Sequence, residues 1–326
     1  MIQAKKIGLW WYVKMSSTIV TGAFGMVGYA FRNNIQLPPG QSFYFVGSRD
    51  CDLTNRDKVF ELFGTARPSR VIHLAARVGG VKGNTDFVAD FYTQNIQMNT
   101  NILDASYEFG VEKVVSLLST CVYPDNATYP LTEDQIHAGP PHVSNFGYAY
   151  AKRMLDIQSQ AYRQQHGCNF ITAVPNNLYG ENDNFHLTDG HVIPALIRKV
   201  YEAKINNVPS VTFWGDGSPL REFTHASDIA SILLYLLDHY DGLKPINIGN
   251  TGEVSIKEIA NIIINHFGYQ GEVIWDTSMP AGQYRKPSSN QRLMDLTDYK
   301  YKDFEKSLIS TCDWFAKKYP YVRGVD

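Results

Sequence analysis

A chain of 326 residues, 44% of them apolar, has room for one large α/β domain or two smaller ones and for a sizeable core. A formal charge of −2 excludes a broad electrostatic pull on nucleic acid or acidic lipid. Four cysteines, Cys51, Cys121, Cys168 and Cys312, are too scattered for a disulfide scaffold and show no metal-like spacing, which points to a reducing, cytoplasmic setting and to no metal centre.

The chain begins with a decoy. Lys5 and Lys6 precede an apolar patch at 7–13 that loosely imitates a signal peptide, but Lys14 interrupts it and no small-residue cleavage site follows. Residues 1–17 read as an extension outside the core, with Met15 a second possible start. No later apolar run is long enough to span a bilayer.

The first strand is expected at 18–21, followed by Gly22-Ala23-Phe24-Gly25-Met26-Val27-Gly28 and the opening of a helix. In that setting Gly22 permits a tight turn, Gly25 lets backbone approach a pyrophosphate, and Gly28 lets helix and strand pack closely, with free helix N–H groups meeting the phosphate charge. A second strand at 43–46 ends in Gly47-Ser48-Arg49-Asp50. An acidic residue there suits a free ribose, while Arg49 suits a 2′-phosphate and points to NADP(H). Asp52 and Leu53 follow where the adenine would lie.

A third strand is expected at 71–74 and a fourth at 114–118. If the fourth runs on, the period of two aims Ser119 and Cys121 the same way at its carboxyl end, where open α/β folds bind ligands. The segments 86–109 and 148–166 each carry two apolar stripes at helical spacing and so need two partners. One is the sheet. The other is either a second copy of the chain or the C-terminal part of the same one. Tyr148 and Lys152 stand four apart on one helix face, where an ammonium would lower the phenol's pKa and equip it to shuttle a proton at a carbonyl. A fifth strand is expected at 171–174.

Beyond Pro175 the texture changes: a polar loop at 176–190, helices at 192–204, 228–240, 255–267 and 304–318, and strands at 211–214 and 246–248. Strands separated by helices predict an α/β fold with a doubly wound parallel sheet. Residues 18–178 form its dinucleotide-binding domain, and 179–326 a smaller C-terminal substrate lobe with segments returning to the sheet.

The glycine turn, Ser119 and the Tyr148/Lys152 pair resemble the extended short-chain dehydrogenase/reductase family. Ser119-Thr120-Cys121-Val122-Tyr123-Pro124, Ala75-Ala76-Arg77-Val78-Gly79-Gly80, Asn177-Leu178-Tyr179-Gly180, Asp183-Asn184-Phe185, His191-Val192-Ile193-Pro194 and the run from Trp214-Gly215 to Arg221-Glu222-Phe223 resemble its GDP-L-fucose synthase branch. The resemblance covers nearly everything after residue 17. It implies an NADPH-dependent bifunctional enzyme that epimerises GDP-4-keto-6-deoxy-D-mannose at C3 and C5 and then reduces C4, giving GDP-L-fucose. It implies Cys121 as base, His191 as acid, Ser119 and Tyr148 as hydrogen bonders to the ketone oxygen, and Lys152 on the nicotinamide ribose. Asn177 would lie near sugar and cofactor, and Lys199, Trp214 and Arg221 near the GDP. A homodimer is implied too.

Three departures stand against that pattern. Ala281 replaces an aspartate, Asn176 a threonine, and Glu181-Asn182 a Pro-His. Two rival readings keep the fold: a 4-epimerase that retains NAD, and a non-catalytic dinucleotide sensor.

Overall fold

The structure is a computed structural model and describes residues 16–278 and 284–325, with backbone alone for 81 and 82. The first half alternates β1 (Ser17–Thr21), α1 (Met26–Asn33), β2 (Ser42–Val46), α2 (Arg56–Ala66), β3 (Arg70–His73), α3 (Val81–Asp86), α4 (Val88–Glu108), β4 (Lys113–Leu117), α5 (Phe146–His166) and β5 (Phe170–Val174). There follow β6 (Asn177–Tyr179), α6 (Val192–Ile205), β7 (Ser210–Trp214), β8 (Leu220–His225), α7 (Ala226–His239), β9 (Ile246–Asn247), β10 (Glu253–Ser255), α8 (Ile256–Phe267), β11 (Glu272–Asp276), α9 (Gln291–Met294) and α10 (Phe304–Lys318).

Six strands pair in the order β2-β1-β3-β4-β5-β9, all parallel. Every residue of β4 and β5 is buried, as a strand covered on both faces requires. One face packs Val59 and Phe63 of α2, Ile102 and Leu103 of α4 and Leu155 of α5. The other packs Val27, Ala30 and Phe31 of α1 with Ile229, Leu233 and Leu236 of α7. Two elements from beyond residue 178, α7 and β9, thus belong to this layer. A third core joins α6, α8 and α10 to β7 and β8. Ser255 and Glu258 form a reciprocal cap on α8 that fixes where that helix begins.

Strand order reverses between β1 and β3, and a cleft opens beyond the carboxyl ends there.

The structure corrects three expectations. The core begins at Ser17, with the Ser16 carbonyl already accepting from Ser42 N at 3.0 Å, so only residues 1–15 lie outside the described fold at this end. The loop at 176–190 contains β6, paired with β8 from Asn177–Phe223 to Tyr179–His225. Finally, β4 stops at Leu117. Ser119 caps a 3-10 turn at Thr120–Val122, its hydroxyl accepting from Cys121 N at 3.4 Å, and this local bond takes the chain out of strand geometry. The stripes on α4 and α5 are buried on the inner side, while Tyr92 and Ile157 remain exposed.

Candidate active site

The glycine turn is built as its residue types demand. Gly22 has φ +66°, and a Cβ there would lie 2.7 Å from the Ala75 nitrogen. A Cβ at Gly28 would lie 2.4 Å from the Ala23 Cα, so only glycine lets α1 sit this close to the strand end. Gly25 starts α1 with no side-chain cap, leaving the first-turn N–H groups to face a cleft of about 1150 Å³. These features fit a dinucleotide pyrophosphate.

At the end of β2 the Asp50 carboxylate accepts from Gly47 N at 2.8 Å, so it closes its own turn. Arg49 is exposed beside it, at the edge of the cleft rather than in its lining. Asp52 lines the cleft, its carboxyl held low by bonds from the Thr54 hydroxyl and N–H. Leu53 lines it too and is buried, its carbonyl bound by Asn101.

Ser119, Cys121, Tyr148 and Lys152 line the same cleft. Lys152 is 2% exposed and donates to the Leu117 carbonyl at 2.6 Å, and burial pulls its ammonium down to about 8. The neighbouring Arg153 donates to the Val122 carbonyl and to the Gly139 carbonyl, both at 2.6 Å. Two successive residues of α5 therefore grip the turn that carries Ser119 and Cys121.

The expected effect of Lys152 on Tyr148 is reversed. Burial pushes the phenol up and Cys121 adds to the rise, while the Lys152 ammonium, bound to Leu117, stands 6.0 Å from the ring centre. Burial also pushes the Cys121 thiol up, against pulls from the Ser119 hydroxyl, Lys286 and Lys152 in that order.

From the C-terminal half of the chain, His191 lines the cleft at the N-cap of α6 and is exposed, and its side chain makes no capping bond. Trp214 is 53% exposed and lines the cleft. Arg221 also lines it, donating to the carbonyls of Leu220 at 2.7 Å and Tyr284 at 3.3 Å. Asn177 lines it with its amide on the Glu222 carbonyl at 2.9 Å. Lys199 stands behind: it donates to the Thr212 carbonyl at 3.2 Å, 5.7 Å from the Trp214 ring centre, and is not part of the lining.

Three residues assigned no role from sequence reach this region. Arg153 grips the turn as described. Asp183 is 5% exposed, and its Oδ2 is buried with no hydrogen-bond partner while Oδ1 accepts from Asn184 N. Burial raises its carboxyl, and His191 is the largest charge opposing that rise. Lys286 donates to the Thr120 carbonyl at 3.4 Å. Asp183 stood inside a family-like motif, Asp183-Asn184-Phe185, the signal in the sequence that marked it.

The departures from the pattern are partly accounted for. Asn176 binds Glu222 and the Asn250 carbonyl and accepts from Thr224. Glu181 accepts from Asn34 at 2.8 Å and lies 3.3 Å from His225. Asn182, at φ +62°, donates to the Phe24 carbonyl inside the glycine turn at 2.9 Å. Ala281 lies outside the described residues.

Residues 18–249 match the model of the NAD dependent epimerase/dehydratase family. The chain belongs to that family. Among its members, the GDP-L-fucose synthase of Dictyostelium discoideum is 41% identical over 94% of this chain and 97% of its own. That of Escherichia coli is 34% identical over 94% and 98%. A solved GDP-L-fucose synthetase of Naegleria fowleri, bound to NADP, superposes with a TM-score of 0.89 at 39% identity, covering 94% of this chain and 95% of that one. Among the described residues no helix is long and apolar enough to cross a membrane, and no cluster of three metal-ligating side chains occurs.

Proposed function

We propose that this family member is an NADPH-dependent epimerase-reductase that converts GDP-4-keto-6-deoxy-D-mannose to GDP-L-fucose. The observation that carries this reading is that the glycine turn, Cys121, Tyr148, Lys152 and His191 all line one cleft. Relatives named GDP-L-fucose synthase at 34–41% identity favour it over a 4-epimerase that retains NAD and over a non-catalytic sensor.

The turn of Gly22, Gly25 and Gly28 would hold the pyrophosphate, Asp52 and Leu53 would flank the adenine, and Arg49 would reach the 2′-phosphate. Lys152 would hold the nicotinamide ribose, with Asn177 near sugar and cofactor. The bound dinucleotide supplies the hydride that reduces C4.

The protons beside the ketone become acidic when the developing enolate oxygen is stabilised, the task of the Ser119 and Tyr148 hydroxyls. Cys121 removes a proton from one face of the ring and His191 returns one to the other. Tyr148 gives the final proton to the C4 oxygen. A buried phenol with a raised pKa keeps its proton until that oxygen develops charge. Arg221 grips the diphosphate, Trp214 lies along the nucleotide and Lys199 backs it.

Residues 18–178 serve as the dinucleotide unit and 179–326 as the substrate lobe. The exposed outer faces of α4 and α5, with Tyr92 and Ile157, pair two copies into a dimer. Sedimentation as a monomer at micromolar concentration would remove that last statement alone. Product analysis tests the activity: protein, GDP-4-keto-6-deoxy-D-mannose and NADPH should yield GDP-fucose and NADP⁺. Unchanged sugar nucleotide with folded protein overturns the reading.

A further inference from the structure

Burial works against the task assigned to Cys121, because a thiolate must form where desolvation disfavours charge. The turn around it is therefore instructive. Its carbonyls take two ammonium groups from different parts of the chain: Lys152 of α5 on Leu117 at 2.6 Å, and Lys286, from the segment after residue 283, on Thr120 at 3.4 Å.

Lys286 is anchored through its chain neighbours on both sides. The Pro287 carbonyl accepts from Leu131 N at 2.9 Å. The Ser288 N–H and hydroxyl both donate to the buried Glu222 carboxylate, at 2.8 and 2.5 Å. Two residues earlier, the Tyr284 carbonyl accepts from Leu220 N and from Arg221.

We propose that Lys286 is a positioning residue whose ammonium, seated on the Thr120 carbonyl, pins the turn and stabilises the Cys121 thiolate beside it. The inference rests on the reading of Cys121 as the base. Lys286 is the largest charge acting on the thiol, and Cys121 the largest charge acting on Lys286. From α5, Lys152, Arg153 and the Tyr148 phenol also face the thiol; from its own turn the Ser119 hydroxyl does. Asp125 and Arg221 face Lys286 with opposite effects. Lys152 is committed to Leu117 and, on the proposed function, to the nicotinamide ribose.

The test is the pH dependence of Cys121 alkylation by iodoacetamide on the full chain, with peptide mapping to separate Cys121 from the half-buried Cys168. Lys286→Met should slow Cys121 modification about tenfold near neutral pH, since losing an adjacent opposite charge moves a pKa by about one unit or more. The two rates should converge at the alkaline end, once the pH is high enough to ionise the thiol in both proteins. Lys286→Arg should keep most of the neutral-pH rate, and Lys286→Gln serves as a second neutral variant should the methionine fail to fold. Identical profiles for parent and neutral variants overturn the proposal. So does a rate lowered equally at every pH, which reports access rather than charge, and so does a parent Cys121 inert at every pH. If instead Cys121→Ser still epimerises, the proposed role of the thiol falls while the charge pairing stands.

Discussion

The two walls of the cleft are made differently. On the sheet wall, Lys152 and Arg153 are almost wholly buried, each donating at 2.6 Å to a carbonyl flanking or within one short turn, that of Leu117 and that of Val122. On the wall built from the C-terminal half, His191 and Trp214 are exposed and Arg221 spends its bonds on the carbonyls of Leu220 and Tyr284. The first wall holds its groups in place before anything binds, as chemistry at one atom requires. The second offers groups that exchange backbone or water contacts for a ligand. Substitutions on the first should therefore act on turnover and on the second on affinity.

Tyr148→Phe is the largest test. Removing a proton donor at the reacting oxygen should lower ketone reduction by about 10²- to 10⁴-fold. NADPH binding, followed by fluorescence, should persist; losing both together would mean that the sheet wall is not prebuilt. Arg221→Met comes next. Charge-assisted hydrogen bonds contribute about 1.5–3 kcal/mol, so kcat/KM should fall roughly 10- to 100-fold, mostly through KM. A loss carried by kcat would erase the distinction between the walls.

Lys152 sharpens it by pH. Its ammonium dominates below about 8 and is lost above, so kcat/KM should fall through a limb centred near 8 as pH rises. Lys152→Arg should carry that limb beyond the accessible range. Asn182, the strut from the C-terminal half to the glycine turn, gives the smallest effect. Asn182→Ala should cost about 1 kcal/mol in a denaturation midpoint and weaken NADPH several-fold. No change in either would show that the walls are independent.

What the sequence revealed divides along the same line. The β1–turn–α1 unit was legible because its apolar run, its glycines and its helix follow one another without a break from Ser17 to Asn33 and each has a local reason. Tyr148 and Lys152 were legible as a pair because helical spacing alone puts them on one face. β6 was not, being three residues that become a strand only by pairing with Phe223 to His225, 46 positions on. Nor was the end of β4, where a serine hydroxyl binding a nearby N–H overrode an apolar run that read on as strand. Lys286 gains its neighbour only from a chain-distant segment, Thr120 lying 166 residues away. Asp50, the acidic residue beside Arg49, has its carboxylate satisfied within its own turn, a bond the sequence did not reveal.

The grip of α5 on the turn after β4 has a mechanical consequence. Helix and turn share two carbonyl anchors, Leu117 and Val122, across 31 to 35 residues of sequence, so they shift as one lever rather than as two loops in loose agreement. A push on the outer flank of that helix, far from any sugar, would arrive at the sulfur and the phenol together and leave their mutual spacing intact.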